Sequence, residues 1–292
     1  MDNKLKYRIK GSIYGHLVGD ARGYRQESSG SPGIFTDLGS MLLCTISSIN
    51  EMGTINSEDI IERFRDFYVG GYMTPEGECF QISPAVSQSI KNYNLGMPPD
   101  RCGMKDDTSI DNNALSRILP IALYCSSSST EEIVRQSHSI TAITHNNLTS
   151  QVCSALYSLL VRSLMLQKGE KVFDILEEYY KNSKMDDYSN ALKDIKNWVS
   201  DNKAKGESSV VDTFWSSWQC YAKNQTEFQH CMTSCFKFGQ NGGPIGCLAG
   251  GLVGLTSGIN DIPESWMREL KLSEEAVSEI NQFVQITAQQ IF

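Results

Sequence analysis

No stretch of this sequence approaches the roughly 18 consecutive apolar residues that a membrane-spanning helix needs. The opening Met1-Asp2-Asn3-Lys4-Leu5-Lys6 leads into polar sequence rather than an apolar signal core, so the expected address is the cytoplasm, with no membrane partner. Basic residues are in deficit, 26 Lys and Arg against 34 Asp and Glu, for a formal net charge of −8. Such a balance repels a phosphodiester backbone and argues against nucleic acid as a partner. Paired cysteine spacings are missing too. The nine cysteines are scattered from Cys44 to Cys247 without the pairs of a zinc site or a disulfide framework, and read as free thiols of a reducing compartment. Cys231 and Cys235, four apart beside His230, leave two readings open: half a metal site on one helix face, or packing. Strand-like alternation is rare and no repeat is evident.

What the sequence does have is helical periodicity. An apolar stripe runs from Met41 to Ile49. Ser57-Glu58-Asp59 reads as the cap of a helix whose Ile60, Ile61, Phe64 and Phe67 form one buried face. Thr130-Glu131-Glu132 opens another, running toward His145, and Thr149 to Leu166 is apolar nearly all round, as at the centre of a bundle. Ser273-Glu274-Glu275 begins the last, with Val277, Ile280, Phe283, Val284 and Ile286 on its inner side. The fold class is therefore all-α, and residues 1–292, 40% hydrophobic, suffice for a single large domain with a sizeable cleft. Two Gly-, Ser- and Pro-bearing stretches, 22–40 and 94–114, read as ordered functional loops. The polar stretch 181–207 reads as a surface insertion with one short helix ending near Trp198.

Several short segments carry a shared pattern in order along the chain. Gly15-His16-Leu17-Val18-Gly19-Asp20-Ala21-Arg22-Gly23 is followed by Glu27, then by Phe35-Thr36-Asp37. Asp111-Asn112-Asn113-Ala114-Leu115-Ser116-Arg117 ends at Pro120, and Thr144-His145 follows. Val210-Val211-Asp212-Thr213 precedes a Trp-rich segment, and Phe238-Gly239-Gln240-Asn241-Gly242-Gly243-Pro244 leads to Ala249-Gly250-Gly251-Leu252. Together these resemble the motifs of the ADP-ribosylglycohydrolase family over roughly residues 10 to 267. The resemblance implies a compact orthogonal multi-helix bundle. It also implies a cleft where two magnesium ions orient the ribose of ADP-ribose and activate a water that cleaves its bond to a modified side chain.

The sequence meets that implication in part. Glu27, Thr36 and Asp37 stand at ligand-type positions, but Leu38 replaces the second aspartate of the family's Thr-Asp-Asp step. In the last motif Asn241, Gly242, Gly243 and Pro244 replace Asp, Thr, Asp and Thr, and Phe80-Gln81-Ile82-Ser83 lacks the aspartate of the family's Phe-Asp-Ile-Gly. Two divalent cations bring four positive charges, and two carboxylates are too few to offset them in a cleft. The expected cofactor is none, or one weakly bound magnesium at Thr36 and Asp37 with waters completing the octahedron.

Each remaining residue carries two readings. Asp20 either fixes a helix-to-loop turn or takes part in the site, and Glu27 and Asp37 are either catalytic carboxylates or loop-bonding groups. His145 is either a buried hydrogen-bonding residue at a helix end or a contributor to ligand binding. Asp106-Asp107-Thr108 is a solvated turn or a substitute for a lost ligand. Trp215 and Trp218 pack in the core or stack on a base. With Asn112 and Asn113, the stretch Gln240-Asn241-Gly242-Gly243 is a candidate ligand-binding set, since a helix beginning at Pro244 presents open amides to an anion. Two functional classes follow. One is a non-hydrolytic protein that binds an ADP-ribosylated protein, ADP-ribose or an ADP-ribosyltransferase in an immunity or regulatory role. The other is a hydrolase of an ADP-ribosyl or related glycosidic bond that works with one magnesium or none.

Overall fold

The computed structural model describes residues 2–28, 31–105, 110–201 and 204–291. Among them the secondary structure is helical, with two isolated bridges, Met104 to His145 and Asp111 to Ser209, and no strands. In chain order the helices are α1 (Asp2–Ser28), α2 (Asp37–Met52), α3 (Ser57–Gly70), α4 (Pro84–Asn94), the short α5 (Pro99–Cys102), α6 (Asn113–Ser116) and α7 (Leu119–Tyr124), then α8 (Thr130–Ala142) and α9 (Leu148–Leu166). They continue with α10 (Val172–Asn182), α11 (Asp186–Asp201), α12 (Val210–Lys223), α13 (Phe228–Phe236), α14 (Gly242–Ser257), α15 (Glu264–Glu269) and α16 (Glu274–Gln289). No helix of the described residues is long and apolar enough to cross a membrane.

One contiguous apolar core runs through the bundle, from Leu5 of α1 to Ala288 of α16. At its centre α9 is buried from Ser150 to Ser163 on every face, as its composition predicts. Glycine dictates the tightest contact. Gly11, Gly15, Gly19 and Gly23 repeat every four residues on α1 and face Gly254, Gly250, Gly246 and Gly243 of α14, so the two helices run antiparallel with their backbones touching. A methyl group on Gly19 would lie 2.1 Å from the Gly246 carbonyl oxygen. Each glycine costs a helix up to about 1 kcal/mol relative to alanine, and close backbone packing offsets it. At the far end Arg8 donates to the carbonyls of Leu255 (2.9 Å) and Leu164 (2.6 Å), closing the C-terminal ends of α14 and α9.

The boundaries differ from the sequence expectation in four places. The 22–40 stretch is not a loop throughout, because α1 continues to Ser28. Its later turns are held by Arg22, which lies 4.3 Å from the centre of the Trp266 ring and bonds Glu269 at 2.7 Å. The 94–114 stretch contains α5 and the start of α6. The α3 cap is Asn56 rather than Ser57, accepting from the amides of Glu58 and Asp59. The 181–207 stretch is no surface insertion, since α11 runs sixteen residues and buries Leu192 and Ile195 in the same core as α9. On α16, Ala276 and Thr287 are buried while Val277 and Ile286 remain half-buried.

Candidate functional site

The N-terminal end of α2 is built around Asp20. This buried carboxyl on α1 accepts from the Thr36 amide (2.8 Å), the Thr36 hydroxyl (2.8 Å) and the Gly39 amide (2.9 Å), satisfying donors that the start of a helix leaves open. Burial pushes its pKa up to about 6, against the pull of those three bonds. Thr36 is the N-cap of α2 and also accepts from the Leu38 amide, so its hydroxyl is engaged on both sides.

Next to this cap lies a cleft of ≈ 350 Å³, lined by segments far apart in the chain. Asp20 and Tyr24 come from α1 and Thr36, Asp37 and Leu38 from the start of α2. Residues 81–84 precede and open α4, Asp111, Asn112 and Asn113 lead into α6, and Ser208, Gln240, Asn241, Gly243 and Pro244 form the opposite wall. The structure thus brings Asp20, Thr36, Asp37, Asn112, Asn113, Gln240, Asn241 and Gly243 together. Gly242 starts α14 beside Phe236 and His145 lies behind Asp111, neither of them lining the cleft. The side chain of Glu27 lies outside the described ones, and Asp106-Asp107-Thr108 lie outside the described residues.

Three carboxyl groups line this cleft, in unlike environments. Asp37 is 5% exposed, and burial, with the Asp20 charge adding to it, pushes its pKa up to about 7. Its Oδ2 accepts from the Asn113 side-chain amide at 2.7 Å. Asp111 is different. Burial pushes it upward, but the hydrogen bond and charge of His145 and the amide of Asn113 outweigh this and hold it below the usual carboxylate value. The His145 Nε2 lies 2.9 Å from Asp111 Oδ1, and its Nδ1 lies 2.8 Å from the Thr144 hydroxyl. His145 therefore acts here through Asp111. Thr144 also takes a bond from Arg117, which is wholly buried over the Phe64 ring.

The second wall carries amides instead of acids. The Asn241 side-chain amide donates to the carbonyl of Gly206, a residue at φ 73° that tolerates only glycine comfortably. Asp212 fixes the same loop by accepting from the amides of Lys205 (3.0 Å) and Gly206 (2.7 Å). Asn112 is tied to Thr213 of α12 at 3.0 Å. Among the described residues no three His, Cys, Asp or Glu groups gather closely enough to share a metal ion. Among the described residues, with the Thr36 hydroxyl engaged, Asn241 bonded to Gly206, and Gly243 packed against Gly23 of α1, the donors do not make up the oxygen shells that two magnesium ions need.

One buried polar atom of the lining residues has no partner among the described residues. It is the Oδ1 of Asn113, a residue 3% exposed. Sequence reasoning named Asn113, and marked Gln81 as the place of a lost aspartate, but passed over Tyr24, Ser83, Asp111 and Ser208 as cleft residues. Tyr24 was within reach of a periodicity argument, since it follows Asp20 by one helical turn. The Ser83-Pro84 pair also carried a signal, a side-chain cap followed by proline at the first helical position.

A family model described as ADP-ribosylglycohydrolase matches residues 1–291. A solved structure titled "ADP-ribosylglycohydrolase-related protein complex" superposes with a TM-score of 0.76 at 18% identity, covering 98% of this chain and 99% of that one. No curated protein matches the sequence. At that identity the superposition speaks for the fold, and the family follows from the sequence model, whose match spans nearly the whole chain: this protein belongs to the ADP-ribosylglycohydrolase family.

Proposed function

We propose that the protein binds an ADP-ribosylated protein in this cleft and has lost two-magnesium hydrolysis. The observation that carries this reading is the character of the lining. Asp37 and Asp111 present acceptors, with the buried Asn113 Oδ1 behind them, and among the described lining residues there is no Lys, Arg or His. Such a surface suits ribose hydroxyls and the guanidinium of a modified arginine better than a bare phosphate. The amide and glycine wall at Asn241 and Gly243 supplies no metal-binding carboxylate. At most one magnesium is held, weakly, at Asp37 with water as its main ligand. A cytoplasmic immunity or regulatory role fits a binder of this kind, with free ADP-ribose or an ADP-ribosyltransferase as its other partners.

Calorimetry with an ADP-ribosylated arginine peptide tests the reading. Binding should persist in EDTA, and release of ADP-ribose should stay at background when millimolar magnesium is added. Robust magnesium-dependent release that disappears in Asp37→Ala would sink it.

A second reading draws on a specific feature of the same cleft. Asp37, pushed up to about 7, is poised to take up a proton near neutral pH as a general base, while Asp111 is held ionised on the same cleft, an arrangement suited to glycosidic cleavage. In this reading the protein removes ADP-ribose or a related glycosyl group with one magnesium or none, with Asp37 or Glu27 as base. A pH–rate profile with a limb near pH 7 that vanishes in Asp37→Asn would support it.

A further inference from the structure

Two arginines of this fold lie over aromatic rings. The Arg22 guanidinium is 4.3 Å from the centre of the Trp266 ring and donates to the Glu269 carboxylate at 2.7 Å. The Arg117 guanidinium is 4.8 Å from the centre of the Phe64 ring. An aromatic face beside a carboxylate is thus a seat this protein already gives a guanidinium, where cation–π attraction and a charge-assisted hydrogen bond act together.

The cleft offers the same two components. Tyr24 lines its wall, and the centre of that ring lies 5.5 Å from the centre of the Phe80 ring, the planes tilted by 46°. Phe80 is 42% exposed and precedes the lining residues Gln81 to Pro84, so it extends the aromatic surface at the mouth. Asp111 supplies the carboxylate. Its side chain is 32% exposed, and its Oδ1 is fixed by the His145 ring and by the Asn113 amide at 3.0 Å. Among the described residues neither Asp111 nor Asp37 is paired with a Lys or Arg. Charge then separates the two ends of an ADP-ribosylated arginine. A diphosphate is repelled by an ionised Asp111, whereas a guanidinium is drawn to the carboxylate and to the rings. An ammonium fits less well, being a strongly hydrated point charge without a planar face to stack.

We propose that the cleft is an alkylguanidinium site that takes the side chain of an unmodified arginine on the target protein, with Asp111 as its carboxylate partner and Tyr24 and Phe80 as its aromatic face. The proposal rests on the reading of the cleft as a binding site and extends its ligand to the target before modification. Recognition of the guanidinium is then common to both states of the target.

The test is calorimetry on the full chain with N-acetylarginine amide and with the matching citrulline amide, which has the same shape and no charge. The arginine amide should bind saturably at millimolar concentration, and the citrulline amide about tenfold more weakly or not at all. Asp111→Asn should weaken the arginine amide by about tenfold, the loss expected for one charge-assisted hydrogen bond. Phe80→Leu keeps an apolar side chain at an exposed position and should weaken it by about two- to fivefold, while Phe80→Trp should hold or improve it. Equal affinity for the two amides would overturn the proposal, as would wild-type affinity in Phe80→Leu. If an ADP-ribosylated arginine peptide binds and the arginine amide does not, this proposal falls and the reading of the cleft stands. If neither binds, both fall.

Discussion

Asp37 occupies the first turn of α2, where helix amides ordinarily favour a charged carboxyl, yet burial and the Asp20 charge push it up to about 7. An unfolded aspartate titrates near about 3.9. Between those values the folded protein holds a proton that the unfolded chain has released. The contribution of Asp37 to folding is thus fully present below the unfolded value and is lost as the pH rises through about 7. Asp20, pushed up to about 6, acts in the same direction over a narrower window. Asp111, held low, acts in the opposite sense, its contribution being present above the unfolded value and lost as the pH falls through its folded one. Asp37→Asn keeps the shape and can still accept the Asn113 amide, so it should raise Tm at pH 8 while changing it little at pH 5. The gain at pH 8 should be on the order of 1 kcal/mol or more, since one pKa unit corresponds to 1.36 kcal/mol. Thermal melts at the two pH values check this, and an equal shift at both would show that Asp37 titrates normally. Asp20→Ala leaves the amides of Thr36 and Gly39 and the Thr36 hydroxyl without their acceptor. It should lower stability by about 2–4 kcal/mol in urea titration.

At the scale of elements, two glycines separate packing from backbone propensity. Gly19→Ala places a methyl group against the Gly246 carbonyl, where neither helix can yield without parting the whole seam. A loss of about 3 kcal/mol or more is expected. Gly70 closes α3 with no atom within 4 Å of an added methyl and no left-handed backbone, so Gly70→Ala should be neutral or stabilising by up to about 1 kcal/mol. Urea denaturation of both variants gives the comparison, and similar losses in the two would deny the seam its special role. The elements most legible in the sequence were those whose apolar spacing is strong on its own, such as Ile60, Ile61, Phe64 and Phe67 of α3 and the nearly continuous apolar run of α9. The end of α1 was not legible, because glycine and serine there predict a loop while the contacts of Arg22 with Trp266 and Glu269 reach across more than 240 residues of chain. For α11 the misleading signal was its polar composition, which hid the narrow stripe of Leu192, Ile195 and Trp198.

Across the whole molecule the cleft is assembled from six separated segments, and sequence order alone located most of its walls while missing their division of labour. Asp111 stood in plain view beside Asn112 and Asn113, but its value depends on His145, which arrives from the end of α8 and has no sequence spacing to betray it. Likewise, replacement of the family's aspartate by Asn241 was visible as a loss of charge, whereas its bond to Gly206 was not. That bond bears on any attempt to restore the metal centre. Restoring Leu38→Asp with Asn241→Asp adds two carboxyls to a cleft that already holds three, and removes the donor that serves the Gly206 carbonyl. Gly243 is best left unchanged, since its backbone lies against Gly23 of α1. The double variant should melt below the wild type in EDTA. If magnesium binds only its folded state, saturation of the site should return stability by about 2.7 kcal/mol at a hundredfold excess over Kd. Wild-type protein should show no magnesium-dependent change in Tm. A double variant equally indifferent to magnesium would show that the close approach of α1 and α14, rather than the missing carboxylates, keeps a metal out of this cleft.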